Sequence, residues 1–206
     1  MDESLPSFLF DPKKDWIEQF GRKSECYLEI GFGGGEHLSA LAKTRPDCNF
    51  IGAEPYMNGV ASLLRHITQQ SLTNIRIWPD DARLIFPLPR QIFLAGVFIL
   101  FPDPWPKTRH AARRILQPEL LAQLAESIQP GGQLVLASDD SIAKTWILQA
   151  LIGHSAFSWT ACSAKDWRCR PANILETRYL QKAELAGRIP SWFVFNRRNE
   201  NFESES

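Results

Sequence analysis

Length, composition and charge place this chain among globular proteins with one domain. Its 206 residues are 44% hydrophobic and 22% charged, enough for one sizeable α/β core and too few for two. The 23 acidic and 23 basic residues cancel, which excludes a global attraction to nucleic acid, so any such binding must use local patches. The acidic start has no signal-peptide pattern, and no apolar run approaches the roughly 18 residues of a membrane span, so we expect a cytoplasmic protein without a membrane partner. The four cysteines form no Cys-x-x-Cys pair, so we expect no metal site.

Predicted strands and helices alternate along the chain. We predict an N-terminal arm over 1–25, a domain over 26–198 and a frayed tail over 199–206. The first strand begins at Cys26 and enters a glycine-rich turn; further strands are predicted over 49–53, 74–78, 92–100, 133–137 and, on a sheet edge, 191–196. Helices are predicted over 36–44, 56–70, 118–128 and from a cap at 138–140 to about 152. This alternation predicts an α/β fold, with a mostly parallel sheet and helices on both faces.

The turn after the first strand carries Gly31, Gly33 and Gly35. Glycines let the backbone approach a ligand closely, and the following helix N-terminus favours negative charge. A dinucleotide fingerprint needs glycine three residues after its second glycine, and Glu36 stands there instead. Because this acid would repel a pyrophosphate, the pattern favours a cofactor that joins an adenosine to a cationic amino-acid portion. S-adenosylmethionine fits that description.

Acidic residues stand at the carboxyl ends of three successive predicted strands. Glu29 could meet the ammonium or sulfonium charge of the cofactor, Glu54 its ribose hydroxyls, and Asp81 its adenine amino group. Each acid alone is more typical of a surface or a helix cap. Together they converge on one side of the sheet and predict a cofactor site.

A proline-rich segment follows the predicted strand over 92–100. Three prolines within five residues cannot continue a ladder or a helix interior, so Asp103 and Trp105 must lie on a stiff loop at the ligand-binding end of the sheet. Potentially cationic side chains come next: Lys107, Arg109, His110, Arg113 and Arg114. A carboxylate beside a basic cluster predicts chemistry on a polyanion, and a proline-rich turn into a solvated helix face is the alternative. A second basic set could extend this polyanion-binding surface: Lys165, Arg168, Arg170, Arg178, Lys182 and Arg188.

These segments resemble the tRNA (guanine-N7-)-methyltransferase family over about residues 27–198. The matching pieces are 28–38 (Leu-Glu-Ile-Gly-Phe-Gly-Gly-Gly-Glu-His-Leu), 51–56, 81–82, the Leu-Phe-Pro-Asp-Pro-Trp-Pro-Lys run at 100–107 with Arg-His at 109–110 and Arg-Arg at 113–114, 138–139 and 177–179. The resemblance implies a Rossmann-like class I S-adenosylmethionine-dependent methyltransferase fold with a mostly parallel seven-stranded sheet. It also implies transfer of a methyl group to N7 of the variable-loop guanine (position 46) of tRNA, by a monomer or a homodimer.

The resemblance also assigns site residues. It implies cofactor binding by Glu29, Gly31, Gly33, Glu54, Asp81, Ala82 and Asp103, with Asp103 also catalytic. Substrate binding is implied for Lys107, Asp139, Thr177, Arg178 and Tyr179. Contacts to the RNA backbone are expected from Arg109, Arg113 and Arg114.

One departure from the family pattern keeps alternatives open. The family pattern is Thr-x-Tyr/Phe-Glu, and this chain has Leu180 at the position of the glutamate. Either Asp139, Glu176 or Glu184 must then replace that acid, or guanine binds less well. A methyltransferase of the same fold that acts on a non-tRNA acceptor is one alternative, and it predicts no salt-dependent tRNA binding. A non-catalytic tRNA-binding relative is another, and it predicts tRNA binding without methyl transfer.

Overall fold

The computed structural model describes residues 5–89 and 92–199. Its strands are β1 (Cys26–Ile30), β2 (Asn49–Ala53), β3 (Ile75–Trp78), β4 (Leu94–Leu100), β5 (Ile128–Ser138), β6 (Phe157–Trp159) and β7 (Ser191–Arg197). Its α-helices are α1 (Leu5–Phe8), α2 (Trp16–Phe20), α3 (Glu36–Thr44), α4 (Met57–Gln70), α5 (Pro118–Ser127), α6 (Ser141–Leu151), α7 (Ala164–Arg168) and α8 (Arg178–Leu185). Two 3-10 turns lie at Ala82–Ile85 and Thr108–Arg113.

The strands form one seven-stranded sheet in the order β3-β2-β1-β4-β5-β7-β6. Neighbouring strands from β3 to β5 pair in parallel, and β7 runs antiparallel to both β5 and β6. The predicted mostly parallel α/β sheet is confirmed. The predicted edge position of the last strand is wrong, because β6 covers the outer side of β7. Three residues, Phe-Ser-Trp, are too short a run for strand periodicity to mark them in the sequence.

Side chains that alternate along the strands build one apolar core on each face of the sheet. On β5, Leu134 and Leu136 join one core, while Val135 and Ala137 join the other. The first core is covered by α5, α6 and part of the N-terminal segment, and the second by α3, α4 and α8. Both faces are therefore sealed, and ligands can reach the central strands only from their ends.

The described part of the N-terminal arm packs against the domain. Phe10 and Trp16 are buried in the first core, and the Phe10 N–H donates to the Ile77 carbonyl of β3. Asp15 begins α2 with a capping box, and Gly21 ends it in the left-handed conformation. The boundaries of arm, domain and tail stay predictions; residues 1–4 of the arm and 200–206 of the tail lie outside the described residues.

Several strand ends differ from the prediction by one or two residues, and the start of β5 differs most. β5 begins at Ile128, which pairs with Leu94 of β4, and pairing resumes at Gln133 opposite Gly96. The residues between form a bulge in which Gly131 has a φ of 78°. The predicted helix over 118–128 therefore ends one residue early, and Pro130, Gly131 and Gly132 lie within β5. None of the helices in the described ranges combines the length and apolar character needed to cross a membrane.

Candidate active site

A cavity of about 330 Å³, the first cavity, opens at the carboxyl ends of β1 to β4. Its walls include apolar residues at the ends of three of these strands, Ile30, Ala53 and Ile99. Its polar residues include Glu54, Asp81 and, from the loop after β4, Asp103; Gly31, Ala82, Trp105 and Arg113 also line it. Sequence reasoning predicted this convergence of strand ends, and the structure brings these residues together.

Glu54 is held in place by the backbone. Its side chain follows β2, and the residue is only 5% exposed. The Gly33 N–H donates to Oε2 (2.9 Å) and the Tyr56 N–H donates to Oε1 (3.0 Å), so each carboxylate oxygen keeps a further lone pair for a ligand. The Gly33 bond also ties the glycine turn to β2. A carboxylate fixed in this way can accept hydrogen bonds from a diol without reorganising.

Asp81 follows β3 and begins the 3-10 turn that contains the buried Ala82. Its carboxylate accepts from the Arg83 backbone N–H (2.9 Å) and from Arg83 Nε, which lies 3.0 Å from both oxygens. These Arg83 side-chain hydrogen bonds hold the pKa of Asp81 below its usual range. Asp81 therefore lines the first cavity in its ionised form. Arg83 also lines this cavity, and sequence reasoning missed it.

The loop after β4 has an unusual backbone. Phe101 and Trp105 adopt positive φ values of 54° and 39°, a conformation that costs free energy for residues other than glycine. Arg113 lies over the Trp105 ring, 4.9 Å from its centroid, and His110 meets the ring edge-on at 5.6 Å. Trp105 thus both lines the cavity and packs against its own loop. Asp103 is exposed, and among the described residues none pairs with its carboxylate.

The cationic residues of this loop divide into two groups. Lys107, Arg109 and Arg113 are exposed. Arg114 is half-buried, and its Nη2 donates to the Trp105 carbonyl (3.3 Å), so it helps hold the loop. The sequence predicts one cluster of five potentially cationic residues. The structure leaves three of them open to solvent, with Arg113 in the wall of the first cavity, and packs His110 against Trp105.

A second cavity of about 160 Å³ lies on the other side of the glycine turn. Gly31, Leu100 and Phe101 line both cavities, so the two adjoin. The second cavity also has Gly33, Thr177, Tyr179, Leu180, Glu29 and His37 in its walls. Glu29 is 3% exposed, and its Oε2 lies 2.9 Å from Nδ1 of His37, which sequence reasoning missed. His37 lies eight residues after Glu29, in the first turn of a helix, so the sequence gives no local signal of this contact.

Asp139 lies just after β5 and is connected to the C-terminal segment. The Tyr179 hydroxyl donates to its carboxylate (3.2 Å), and Arg188 Nη1 lies 2.8 Å from Oδ2. Burial and the nearby charge of Asp139 raise the pKa of Tyr179, so its hydroxyl keeps the proton that it donates. Thr177 caps α8 through the Leu180 N–H (3.2 Å). The side chain of Arg178 lies outside the described part of the chain.

Leu180, which stands where the family pattern has an acid, is 2% exposed and belongs to the second core. Its side chain forms part of the wall of the second cavity. Of the three acids expected to replace it, Glu176 and Glu184 are exposed and line neither cavity, and Asp139 is paired with Arg188. The acids that do line the second cavity are Glu29 and Glu36.

These residues fit S-adenosylmethionine better than a phosphate-containing cofactor. An alanine Cβ at Gly34 would lie 2.6 Å from Oε2 of Glu36, so this carboxylate sits at the glycine turn where a pyrophosphate would bind. Apolar walls with Glu54 and Asp81 suit an adenosine, and Glu29 in the adjoining cavity suits a cationic amino-acid portion. Within the described ranges, no group of three His, Cys, Asp or Glu side chains is arranged to hold a metal ion.

Comparison with known proteins shows the family and the fold. A family model described as "Putative methyltransferase" matches residues 23–189. A tRNA (guanine-N(7)-)-methyltransferase of Rhodospirillum rubrum is 47% identical over 84% of this chain and 68% of its own length. One of Hyphomonas neptunium is 42% identical over 95% of this chain and 90% of its own length. The 16S rRNA methyltransferase KamB has a TM-score of 0.62 at 14% identity, over 89% of this chain and 93% of its own, and shares the class I methyltransferase fold. The chain therefore belongs to the tRNA (guanine-N(7)-)-methyltransferase family.

Proposed function

We propose that this protein transfers a methyl group from S-adenosylmethionine to N7 of the variable-loop guanine (position 46) of tRNA. The observation that carries the proposal is the first cavity, where Asp103 and Trp105 of one stiff loop meet Glu54 and Asp81. Identity of 40 to 47% to proteins named for this activity supports the substrate class. Because the substrate is tRNA, we place the reaction in the cytoplasm. The oligomeric state, monomer or homodimer, remains part of the proposal.

The cofactor site in this proposal uses both cavities. Glu54 accepts from the ribose hydroxyls, Asp81 from the adenine amino group, and Gly31 and Gly33 let the backbone approach closely. Glu29 neutralises the amino-acid end in the second cavity. When bound, the cofactor would supply a methyl group on a positively charged sulfonium, and the leaving group would be the neutral thioether S-adenosylhomocysteine.

The protein's task is mainly to position the acceptor. Guanine N7 has a lone pair in the plane of the ring, so no proton has to be removed before attack. Holding that lone pair in line with the methyl–sulfur bond and excluding water can supply on the order of 7 to 11 kcal/mol. Tyr179, Thr177 and Asp139 hold the base in this proposal. Thr177 and Tyr179 line the second cavity, the Tyr179 ring packs against Phe101, which lines both cavities, and Asp139 accepts from the Tyr179 hydroxyl.

Asp103 acts electrostatically. Methylation leaves the purine with a positive charge, and a carboxylate beside it stabilises that charge as it develops. Asp103 suits this task because the described residues leave its carboxylate without a partner. Trp105 lines the same cavity and offers a flat surface to a base, as aromatic residues do in RNA recognition.

The exposed cations bind the RNA backbone in this proposal. Arg113 lines the first cavity, and Lys107 and Arg109 are exposed on the same segment after Asp103 and Trp105, so the three can pair with phosphates near the target base. Arg114 serves the same surface indirectly by holding the Trp105 carbonyl.

Methyl transfer to unmodified tRNA tests the proposal. We expect labelled methyl from S-adenosylmethionine to appear as N7-methylguanosine after digestion of the tRNA, and to vanish when the variable-loop guanine is replaced by adenine. Label in another nucleoside would refute the target atom. Tight tRNA binding without any transfer would favour the non-catalytic alternative, and transfer only to other acceptors would favour the same-fold methyltransferase.

A further inference from the structure

One nitrogen at the glycine turn is buried without a hydrogen-bond partner. His37 belongs to the first turn of α3 and is 2% exposed. Its Nδ1 lies 2.9 Å from Oε2 of Glu29, and its ring meets Phe98 edge-on with centroids 5.1 Å apart. Its Nε2 is buried and has no partner among the described residues. Such groups are rare in folded proteins, because leaving a buried polar atom unsatisfied costs about 1–3 kcal/mol.

The pairing with Glu29 determines what Nε2 can offer. A carboxylate only accepts hydrogen bonds, so Nδ1 carries the proton that joins the two side chains. In the neutral ring, Nε2 is then an acceptor with one lone pair. His37 lines the second cavity together with Glu29, so a ligand in that cavity is within reach of the same ring. A hydrogen-bond donor carried by a ligand in that cavity would satisfy this acceptor.

We propose that His37 Nε2 and Glu29 together bind the α-ammonium group of S-adenosylmethionine. The inference rests on the proposed function only in taking that cofactor as the ligand. An ammonium group carries three donors and no acceptor, so a hydrogen bond to one carboxylate leaves donors that need further acceptors. His37 supplies one such acceptor, and its Nδ1–H holds the Glu29 carboxylate in the orientation that receives another. It is thus a binding residue through Nε2 and a positioning residue through Nδ1.

A purely structural role for His37 is the competing explanation. The ring packs against Phe98 in the second face of the sheet, and many buried histidines do no more than fill space and make one hydrogen bond. The two explanations differ in what they predict for ligands. A structural role affects all ligands of the cavities equally, whereas an ammonium acceptor affects only ligands that carry the amino-acid portion.

Calorimetric titration with two nucleosides separates them. S-adenosylhomocysteine carries the α-ammonium group, and 5′-methylthioadenosine lacks the whole amino-acid portion. We expect His37→Asn, which keeps a donor near the Nδ1 position and loses Nε2, to bind S-adenosylhomocysteine about tenfold or more weakly, since hydrogen bonds to charged groups contribute about 1.5–3 kcal/mol. Its affinity for 5′-methylthioadenosine should stay unchanged. His37→Gln, whose amide oxygen can reach the Nε2 position, should recover part of the loss.

A measurement on the wild-type protein makes the test independent of variant folding. The chain has four histidines, so the ring nitrogens can be assigned by NMR. S-adenosylhomocysteine should shift the His37 Nε2 resonance in the direction of a hydrogen-bonded acceptor, and 5′-methylthioadenosine should not. Equal losses for both nucleosides, no loss in His37→Asn, or an unmoved Nε2 resonance would overturn the inference. None of these readouts uses tRNA, so failure of methyl transfer with intact nucleoside discrimination would reject the proposed function alone.

Discussion

At the scale of single residues, the acids at the strand ends are each held by a different partner. Backbone N–H groups fix Glu54, an imidazole fixes Glu29, and a guanidinium fixes Asp81. Asp103 differs, since it is exposed and unpaired among the described residues. The three held carboxylates are suited to bind a ligand without moving, and the fourth is suited to respond to charge that develops during a reaction.

The pairing of Asp81 with Arg83 predicts a pH dependence of stability. Arg83 hydrogen bonds hold the pKa of Asp81 below the value of about 3.9 expected in the unfolded chain. The folded chain therefore binds fewer protons there, and the pair contributes stability above the unfolded-state pKa that is lost as pH falls through the folded-state pKa. In urea titrations repeated at several pH values below about pH 4, we expect the free energy of unfolding of Asp81→Asn to fall less steeply with decreasing pH than that of wild type. Parallel curves would show that the pair does not contribute.

At the scale of elements, contact between α4 and the glycine turn shapes the cofactor site. Gly59 of α4 lies so close to the turn that an alanine Cβ there would be 2.4 Å from the Gly33 carbonyl oxygen. The same turn donates its Gly33 N–H to Glu54, so a displaced turn also disturbs the ribose-binding acid. Helix and turn therefore act as one support for the ligand.

We predict that Gly59→Ala weakens both stability and cofactor binding. Alanine favours a helix by about 1 kcal/mol over glycine, but the contact with backbone is too close to relax without moving the turn. We expect a net loss of about 1–3 kcal/mol in unfolding free energy and a loss of affinity for S-adenosylhomocysteine. Asn58→Ala, at the neighbouring exposed position of α4, is the matched control and should change neither. A Gly59→Ala protein with wild-type affinity would contradict this account of the turn.

Local patterns in the sequence predict much of the fold and part of the site. Apolar runs and the glycine turn mark β1 to β4 and their helices, and acids at strand ends mark the first cavity. The interior position of β7 is missed because the three residues of β6 carry no periodic signal. The contacts of His37 with Glu29 and of Arg188 with Asp139 are missed for another reason. They join separate elements, and only the folded chain brings those elements together.

At the scale of the whole molecule, local charge matters more than net charge. The formal net charge is zero, yet Lys107, Arg109 and Arg113 are exposed on the segment that follows Asp103 and Trp105, and Arg113 lines the first cavity. Lys43 is also exposed, but it lies in the last turn of α3, at the opposite end of the sheet from the cavities. An RNA bound over the cavities would contact the first group and not Lys43.

We predict that Lys107→Ala weakens tRNA binding and lowers its salt dependence, while Lys43→Ala does neither. Each variant removes one positive charge, so the pair is matched in net charge. Loss of one phosphate contact should reduce the slope of log affinity against log salt by about 0.7–0.9, to a similar extent for different tRNAs. Binding isotherms at several salt concentrations measure the slope. Equal effects of the two substitutions would show that the RNA does not bind over the cavities.

The central claim is that Asp103 assists methyl transfer to guanine N7 at the first cavity. Single-turnover methylation of unmodified tRNA by wild type and Asp103→Asn, with the product nucleoside identified and S-adenosylhomocysteine affinity measured alongside, tests it most directly. We predict N7-methylguanosine from the wild type, and from Asp103→Asn a rate lower by about 10² or more with nearly unchanged cofactor affinity. An unchanged rate in Asp103→Asn, or a wild-type product other than N7-methylguanosine, would contradict the account.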